Sequence, residues 1–342
     1  MKAIRNILIL WVGFWPTVQM AQTQIDNASD YHNVLVDQHN LLTKSKLNYA
    51  YLVLQENSIE VLDSVRGEVA SGIEQSLQSL EELGAYNGDD AFRATAMGTF
   101  KGYLEVFSVD IPALLEKRSE RFSSVKNLSS YFKAEEEVDG KLAEAERVFI
   151  QAKNLFSQRN KLQVSRDGSG DLTSQAEKVN AYKNYSRKVF LQYFSIAKLN
   201  ADLWKYYDNQ DHMRADLMRQ EILLKANKVI KRVRRMPAFD GEEGYKNAVI
   251  NLLTKYQILA AKDYKQLIVF QEKLEEPGAV TSAEEVDYYN KMVDRHNDII
   301  SDYNQEVPQL LEKMEFQQKI LAEKVLPLSG IPKQVPELEG SR

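Results

Sequence analysis

The chain has 342 residues and a net charge of −5, with 44% hydrophobic residues, 27% charged residues and no cysteine. This length and composition indicate a globular protein with room for two domains. The missing cysteine excludes disulfides, thiolate metal sites, iron–sulfur clusters and a cysteine nucleophile. Charges of both signs are interspersed and provide no basic face for nucleic acid. With only 15 glycines and 8 prolines, the chain is expected to form a few long helices.

Residues 1–21 are typical of a secretory signal peptide. Lys2 and Arg5 form a positive segment, an apolar run extends from Ile7 to Trp15, and a cleavage site is expected after Ala21. The apolar run is shorter than the roughly 20 residues that cross a bilayer, and no later segment approaches that length. We therefore predict an exported protein with no transmembrane segment in the mature chain.

The rest of the chain shows helical periodicity and no sustained strand-like alternation. Apolar residues recur every three or four positions, as in the run Ile59, Leu62, Val65, Val69 and Ile73. The predicted fold class is all-α, with two tandem units that each resemble a four-helix bundle. The predicted helices cover 28–57, 58–83, 89–120 and 131–161, then 174–209, 211–236, 242–275 and 282–324. Unit 1 is expected over 28–161, a linker over 162–174, unit 2 over 175–325 and a disordered tail over 326–342.

The two units resemble each other in sequence, which predicts an internal duplication. The turn Ala85–Phe92 matches Ala238–Tyr245 like for like at most positions, and Tyr103 then falls on Tyr256. In each copy a short polar residue, Asn87 or Asp240, is expected to cap the following helix. The two acidic residues that follow the glycine, Asp89 and Asp90 or Glu242 and Glu243, are expected in the first turn of that helix, where the helix dipole favours negative charge.

A second repeated segment does not occupy equivalent positions in the two units. Tyr31–Asn40 and Tyr288–Asn297 coincide at six of ten positions, although one copy opens unit 1 and the other lies in the last helix of unit 2. On a helix, His39 and His296 fall on apolar stripes. The neighbouring polar rows at i, i+4, i+7 contain Asn33, Asp37 and Asn40 in the first copy and Asn290, Asp294 and Asn297 in the second.

These paired segments have two interpretations. The histidines can be satisfied core residues with solvated polar neighbours. Alternatively, a partly buried imidazole beside a polar row can hold a small molecule or ion. A metal site is not predicted, because the sequence has no Glu-x-x-His pair of the kind that binds metals in helical bundles. No cofactor is predicted either, since Gly-rich phosphate loops and catalytic motifs are missing.

The Tyr-x-Asn and Val-Asp-x-His-Asn segments resemble an uncharacterised family of exported, helical surface proteins of Bacteroidota and some spirochaetes. The resemblance implies a position in the periplasm or on the cell surface of a Gram-negative bacterium, and it implies no particular activity. Members of that family often have a lipidated cysteine. This chain lacks a cysteine, so it departs from the pattern of membrane tethering.

Three functions follow as hypotheses. The leading one is a non-enzymatic protein that binds a protein partner or an envelope component. A basic run in the second unit is interpreted either as a solvated helix end or as a surface for an anionic or polysaccharide partner: Lys225, Lys228, Lys231, Arg232, Arg234 and Arg235. The alternative is a module that binds a small ligand or ion at the paired segments. The third is a hydrolase of envelope polymers that acts through carboxylates.

Overall fold

The fold is all-α, as predicted. A computed structural model describes residues 25, 27–162, 169–275 and 283–325, and over these ranges it contains helices and turns but no β-strand. The predicted signal peptide, most of the predicted linker and the predicted tail lie outside the described residues. None of the described helices is long and apolar enough to span a membrane.

The first half contains five helices joined by short turns: α1 Ala28–Leu54, α2 Ile59–Leu83, α3 Ala91–Glu105, α4 Ile111–Arg118 and α5 Val125–Arg159. Asn27, Ser58 and Ser124 cap α1, α2 and α5 by accepting hydrogen bonds from backbone N–H groups. The Ser124 cap explains why α5 begins six residues before the predicted position. A π-helical turn, Val106–Asp110, joins α3 to α4, so the predicted third helix is continuous but not uniform.

The second half follows the same order: α6 Ser169–Asp208, α7 His212–Arg235, α8 Gly244–Ala261, α9 Asp263–Glu275 and α10 Ala283–Val325. Helix α6 begins at Ser169, inside the predicted linker. The predicted helix over 242–275 is broken between α8 and α9 at Lys262, which leaves helical geometry with φ −124° and ψ −64°.

The two turns that carry the predicted duplication have the same conformation. Asn87 and Gly88 have φ values of 47° and 82°, and Asp240 and Gly241 have values of 51° and 77°. Left-handed geometry at two successive residues favours glycine at the second. The expectation that Asn87 or Asp240 caps the next helix is wrong, since both lie inside the turn. The shared conformation favours the duplication, which stays a prediction.

Each half has its own apolar core, and α6 joins the two halves. Leu35, Leu62, Ile73, Phe100 and Phe107 are completely or almost completely buried in the first core. Val189, Ile222, Val249, Leu252 and Ile299 have the same role in the second. Helix α6 packs against both α1 and α5 of the first half, and Leu47 of α1 belongs to the second core. The contact between the halves is therefore a packed seam.

Candidate ligand cavity between the two halves

The predicted polar rows face solvent. Asn33 and Asp37 are exposed and Asn40 is half-buried, while Asn290, Asp294 and Asn297 are all exposed. The histidines behave differently from their neighbours. His39 is buried in the first half, and His296 is half-buried in the second half, where its Nε2 lies 3.0 Å from the hydroxyl of Tyr207.

The structure does not bring the two segments together. The partners of His39 lie on α3 and α5, whereas those of His296 lie on α6 and α9. Among the described residues, none bonds to both imidazoles. The paired segments therefore do not form one common site. Of the two histidines, His39 is the one that is buried and contacts a carboxylate.

His39 is held by an aromatic ring and a carboxylate. Its ring stacks on Phe149 with centroids 3.9 Å apart and planes 6° from parallel. Its Nε2 lies 3.1 Å from Oε2 of Glu146. Burial lowers the pKa of His39 below its usual value, and the nearby Glu146 only partly opposes this. The hydrogen-bond network assigns a neutral imidazole that donates its Nε2–H to Glu146.

Glu146 is the centre of this polar cluster. Its Oε2 accepts hydrogen bonds from Tyr103 at 2.7 Å and from Lys46 at 3.1 Å, in addition to the His39 contact. Burial alone raises the pKa of the Glu146 carboxyl, but the bond from His39 and the charge of Lys46 bring that pKa well below its usual range. The Glu146 carboxyl is therefore ionised, and its Oε2 accepts hydrogen bonds from His39, Lys46 and Tyr103.

Lys46 supplies the matching charge. Its Nζ lies 3.5 Å from the centroid of the Tyr103 ring, so a cation–π contact supplements the ion pair. Burial lowers the pKa of Lys46, and Glu146 partly restores it. With one carboxylate, one ammonium and a neutral imidazole, the cluster carries no net charge, which is the arrangement that burial tolerates.

A second buried cluster joins α5 to α6. Nε of Arg187 lies 2.9 Å from Glu135 Oε2, and its Nη2 lies 2.5 Å from Asp139 Oδ2. Lys183 pairs with the same Asp139. Burial alone raises the pKa of Asp139, yet the two cations hold that pKa below its usual value. This network fixes α6 against the first half.

A cavity of about 390 Å³ lies between these two clusters, among α1, α4, α5 and α6. Its walls are mainly apolar and include Leu47, Ala50, Ile111, Leu115, Val138 and Leu142. Lys46 and Glu146 line one end, and Arg118 and Glu135 line the other. The exposed residues Arg147, Gln151 and Glu177 also line it and mark its opening to solvent. Apolar walls with a few polar groups are typical of small-molecule sites of this size.

Thr43 is one of the lining residues, but its hydroxyl is not open to the space of the cavity. It lies on α1 one turn before Lys46, lines the cavity and is 1% exposed. Its Oγ1 has no hydrogen-bond partner in the part of the chain that the structure describes. Because this atom has less than 1 Å² of accessible surface, it provides no polar contact for a molecule in the cavity.

A larger and more open groove of about 1120 Å³ adjoins the cavity. Val53, Arg118 and Tyr131 line both spaces. The groove is rich in aromatic rings, and Phe122 lies 6.0 Å from Phe190 and 5.7 Å from Phe194 between ring centroids. Glu135 and Lys183 also line both spaces, so charged side chains border the junction between the cavity and the groove.

Sequence reasoning found His39 but missed the residues around it. Lys46 lies seven positions after His39 and shares its helical stripe, so it carried a usable signal. Glu146 follows 107 residues later and looks like any solvated glutamate of a helix. In the described ranges no group of three or more His, Asp and Glu side chains could hold a metal ion.

No protein-family model, curated protein or solved structure matches this chain. The functional argument therefore depends on the cavity and on the residues that line it.

Proposed function

We propose that this protein is a non-enzymatic binding protein that holds a small, elongated and largely apolar molecule between its two halves. The observation that carries the proposal is the cavity of about 390 Å³ with mainly apolar walls. Cavities of this volume accommodate metabolite-sized or drug-sized ligands. With the predicted signal peptide, the ligand would be bound outside the cytoplasm.

The environment of Glu146 supports binding over catalysis. A general base is most effective when its pKa is near the working pH, whereas three donors hold the Glu146 pKa well below the usual range. His39 reaches the cavity only through Glu146, because its Nε2 already bonds to that carboxylate. Instead, Lys46 and Glu146 of this cluster form a polar part of the cavity wall.

The interior position of the cavity also favours a small ligand over the surface partner that composition suggested. The walls come from four helices of both halves, and the opening is bordered by a few exposed side chains. A macromolecule would meet only that rim. A small molecule would contact the apolar interior.

The test is a titration with Nile red, an uncharged apolar dye whose emission rises in apolar surroundings. We expect saturable binding of one dye per chain. Ala50→Trp should abolish it, because an indole at this wall position fills the cavity. Ala94→Trp is the matched control, since Ala94 is exposed on α3.

Thermal unfolding of both variants separates loss of binding from loss of the fold. The proposal fails if folded Ala50→Trp binds Nile red as well as the wild type does. It also fails if the wild-type chain shows no saturable binding.

A further inference from the structure

We infer that copies of this protein associate by packing the exposed face of α7 of one copy against the exposed face of α2 of the next. This contact is separate from the cavity, since none of the described residues that line the cavity belongs to α2 or α7. The inference depends on the opposite charges of the two helices, on apolar side chains that α7 exposes and on small residues along α2.

Helix α7 has a strong positive charge. It contains eight lysines and arginines against two acidic residues. Lys225 pairs with Glu221, and Arg232 bonds to the side-chain oxygen of Gln192. Four further cations near the end of the helix are exposed and form no ion pair within the described part of the chain: Lys228, Lys231, Arg234 and Arg235. Like charges this close together repel, so an anionic surface placed against them would be stabilising.

Helix α2 has the opposite charge. It contains six acidic residues and one cation, Arg66, which pairs with Asp63. The other five acidic residues are exposed, and they form no ion pair with any residue that the structure describes: Glu60, Glu68, Glu74, Glu81 and Glu82. Glu81 and Glu82 lie in the last turn, where the helix dipole disfavours negative charge. A basic surface is therefore the partner that fits this helix.

The exposed face of α7 also carries large apolar side chains. Met213, Leu217 and Leu224 are 75%, 50% and 66% exposed. They recur at intervals of four and seven residues, so they lie on one stripe, which continues through Lys228 and Lys231. A polyanion would pair with the cations but would leave these apolar side chains in water. A second protein surface can cover both, which favours another copy of the chain.

Small residues on α2 leave room for these side chains. Ser64, Gly67 and Ser71 follow each other at intervals of three and four residues on the exposed face, and a Cβ at Gly67 would meet nothing within 4 Å. On a helical wheel Glu68 and Glu74 lie on either side of this row. Two helices can approach closely where large side chains of one meet small residues of the other.

The contact joins two different surfaces, so it is heterologous, and each copy carries one surface of each kind. Helices of 25 and 24 residues form a small interface by the standards of protein complexes. We therefore expect weak association with a dissociation constant in the micromolar range. Since exposed charges supply most of the attraction, salt should weaken it strongly.

The experiment measures the weight-average mass of the full chain by sedimentation equilibrium at about 0.02 M and about 0.5 M salt. We expect the mass to rise with protein concentration at low salt and to stay that of the monomer at high salt. Leu224→Ser should weaken the low-salt association about tenfold, because the contact loses one large apolar side chain.

Charge exchange between the helices tests the pairing itself. One variant reverses α7 and another reverses α2: Lys228→Glu, Lys231→Glu and Arg235→Glu in the first, and Glu74→Lys, Glu81→Lys and Glu82→Lys in the second. Each variant alone should be monomeric at low salt. An equal mixture should associate, because the acidic α7 of the first variant then meets the basic α2 of the second.

The control for net charge reverses three exposed lysines on α5 and α10: Lys126→Glu, Lys133→Glu and Lys313→Glu. This variant has the same net charge as the α7 variant and should still associate. Circular dichroism checks that all variants keep their helices.

A wild-type chain that stays monomeric at low salt would overturn the inference, and its retention on heparin–agarose would then assign the α7 face to an acidic polysaccharide. Association by the α7 variant alone, or a mixture that does not associate, would overturn the pairing with α2. None of these outcomes affects the Nile red titration, which tests the cavity independently.

Discussion

Glu146 joins the side chains of three helices through one carboxylate oxygen. His39 and Lys46 reach it from α1 and Tyr103 from α3, with atom separations between 2.7 and 3.1 Å. Because the carboxylate and ammonium neutralise each other in a buried place, neither can be removed without leaving the other uncompensated. The cluster therefore contributes to stability and also shapes the polar end of the cavity.

Replacing Glu146 with Gln should lower the free energy of unfolding by about 3 kcal/mol, since the buried Lys46 loses its counterion. The measurement is urea unfolding followed by circular dichroism. Glu144→Gln, two residues earlier on the exposed face of α5, is the matched control and should leave stability unchanged. Equal stability of the two variants would show that the cluster is not a coupled unit.

Because burial lowers the pKa of His39, the free energy of unfolding should depend on pH. The His39 pKa is below 6.5 in the folded protein, so the unfolded chain binds the proton more readily. The stability from this group is fully present above its unfolded pKa and is lost as the pH falls toward its folded pKa. Lys46 and Lys153 disfavour protonation of His39, and Glu146 favours it.

We therefore expect the unfolding free energy to fall between about pH 7 and pH 5, and to fall less in His39→Gln. The Glu146 pKa is lowered from 4.5, so its own loss begins only near that pH and does not mask the effect. Urea unfolding at several pH values measures the slope. Identical slopes for the two proteins would contradict the lowered His39 pKa.

Substitutions in the two turns that contain Gly88 and Gly241 can test whether the halves of the protein are equivalent. Gly88 and Gly241 have φ values of 82° and 77°, where a side chain is unfavourable. Alanine at either position should therefore destabilise the protein by about 1 kcal/mol, with similar losses at both. Gly98→Ala in the middle of α3 meets open space and should instead stabilise it by about 0.5 kcal/mol. Very different losses at the two turns would indicate that they are not equivalent.

The Arg187 network should determine how firmly α6 is held against α5. Arg187→Met removes the guanidinium that pairs with Glu135 and Asp139 and leaves Lys183 on Asp139, so we expect a loss of about 3 kcal/mol in urea unfolding. The adjacent Lys188 is exposed, and Lys188→Met is the control for helix propensity and charge. A loss no larger than that of the control would contradict a structural role for the network.

The helices could be predicted from the sequence because apolar stripes and capping residues are local signals. The first helix ends at Leu54 and not at the predicted residue 57, since Glu56 adopts a left-handed conformation with φ 55°. The π-helical turn lies just before Pro112, which has no backbone N–H to donate within a continuous helix, so the sequence carried a local signal there. The break at Lys262 had no such signal.

The sequence indicated that the molecule has two similar units, but it did not indicate how these units pack against each other. The cavity arises from that packing, because α6 of the second half closes a space bordered by α1, α4 and α5 of the first. The residues at the seam, such as Arg187 and Glu135, are 52 positions apart. Their pairing leaves no periodic pattern, so only the structure could connect them.

The most direct test of a ligand site between the halves is a crystal structure of the full chain with bound Nile red. We predict density for the dye in the cavity among α1, α4, α5 and α6, in contact with Leu47, Ala50 and Leu142. Density confined to the aromatic groove, or a cavity that stays empty in crystals of a protein that binds the dye in solution, would contradict this account.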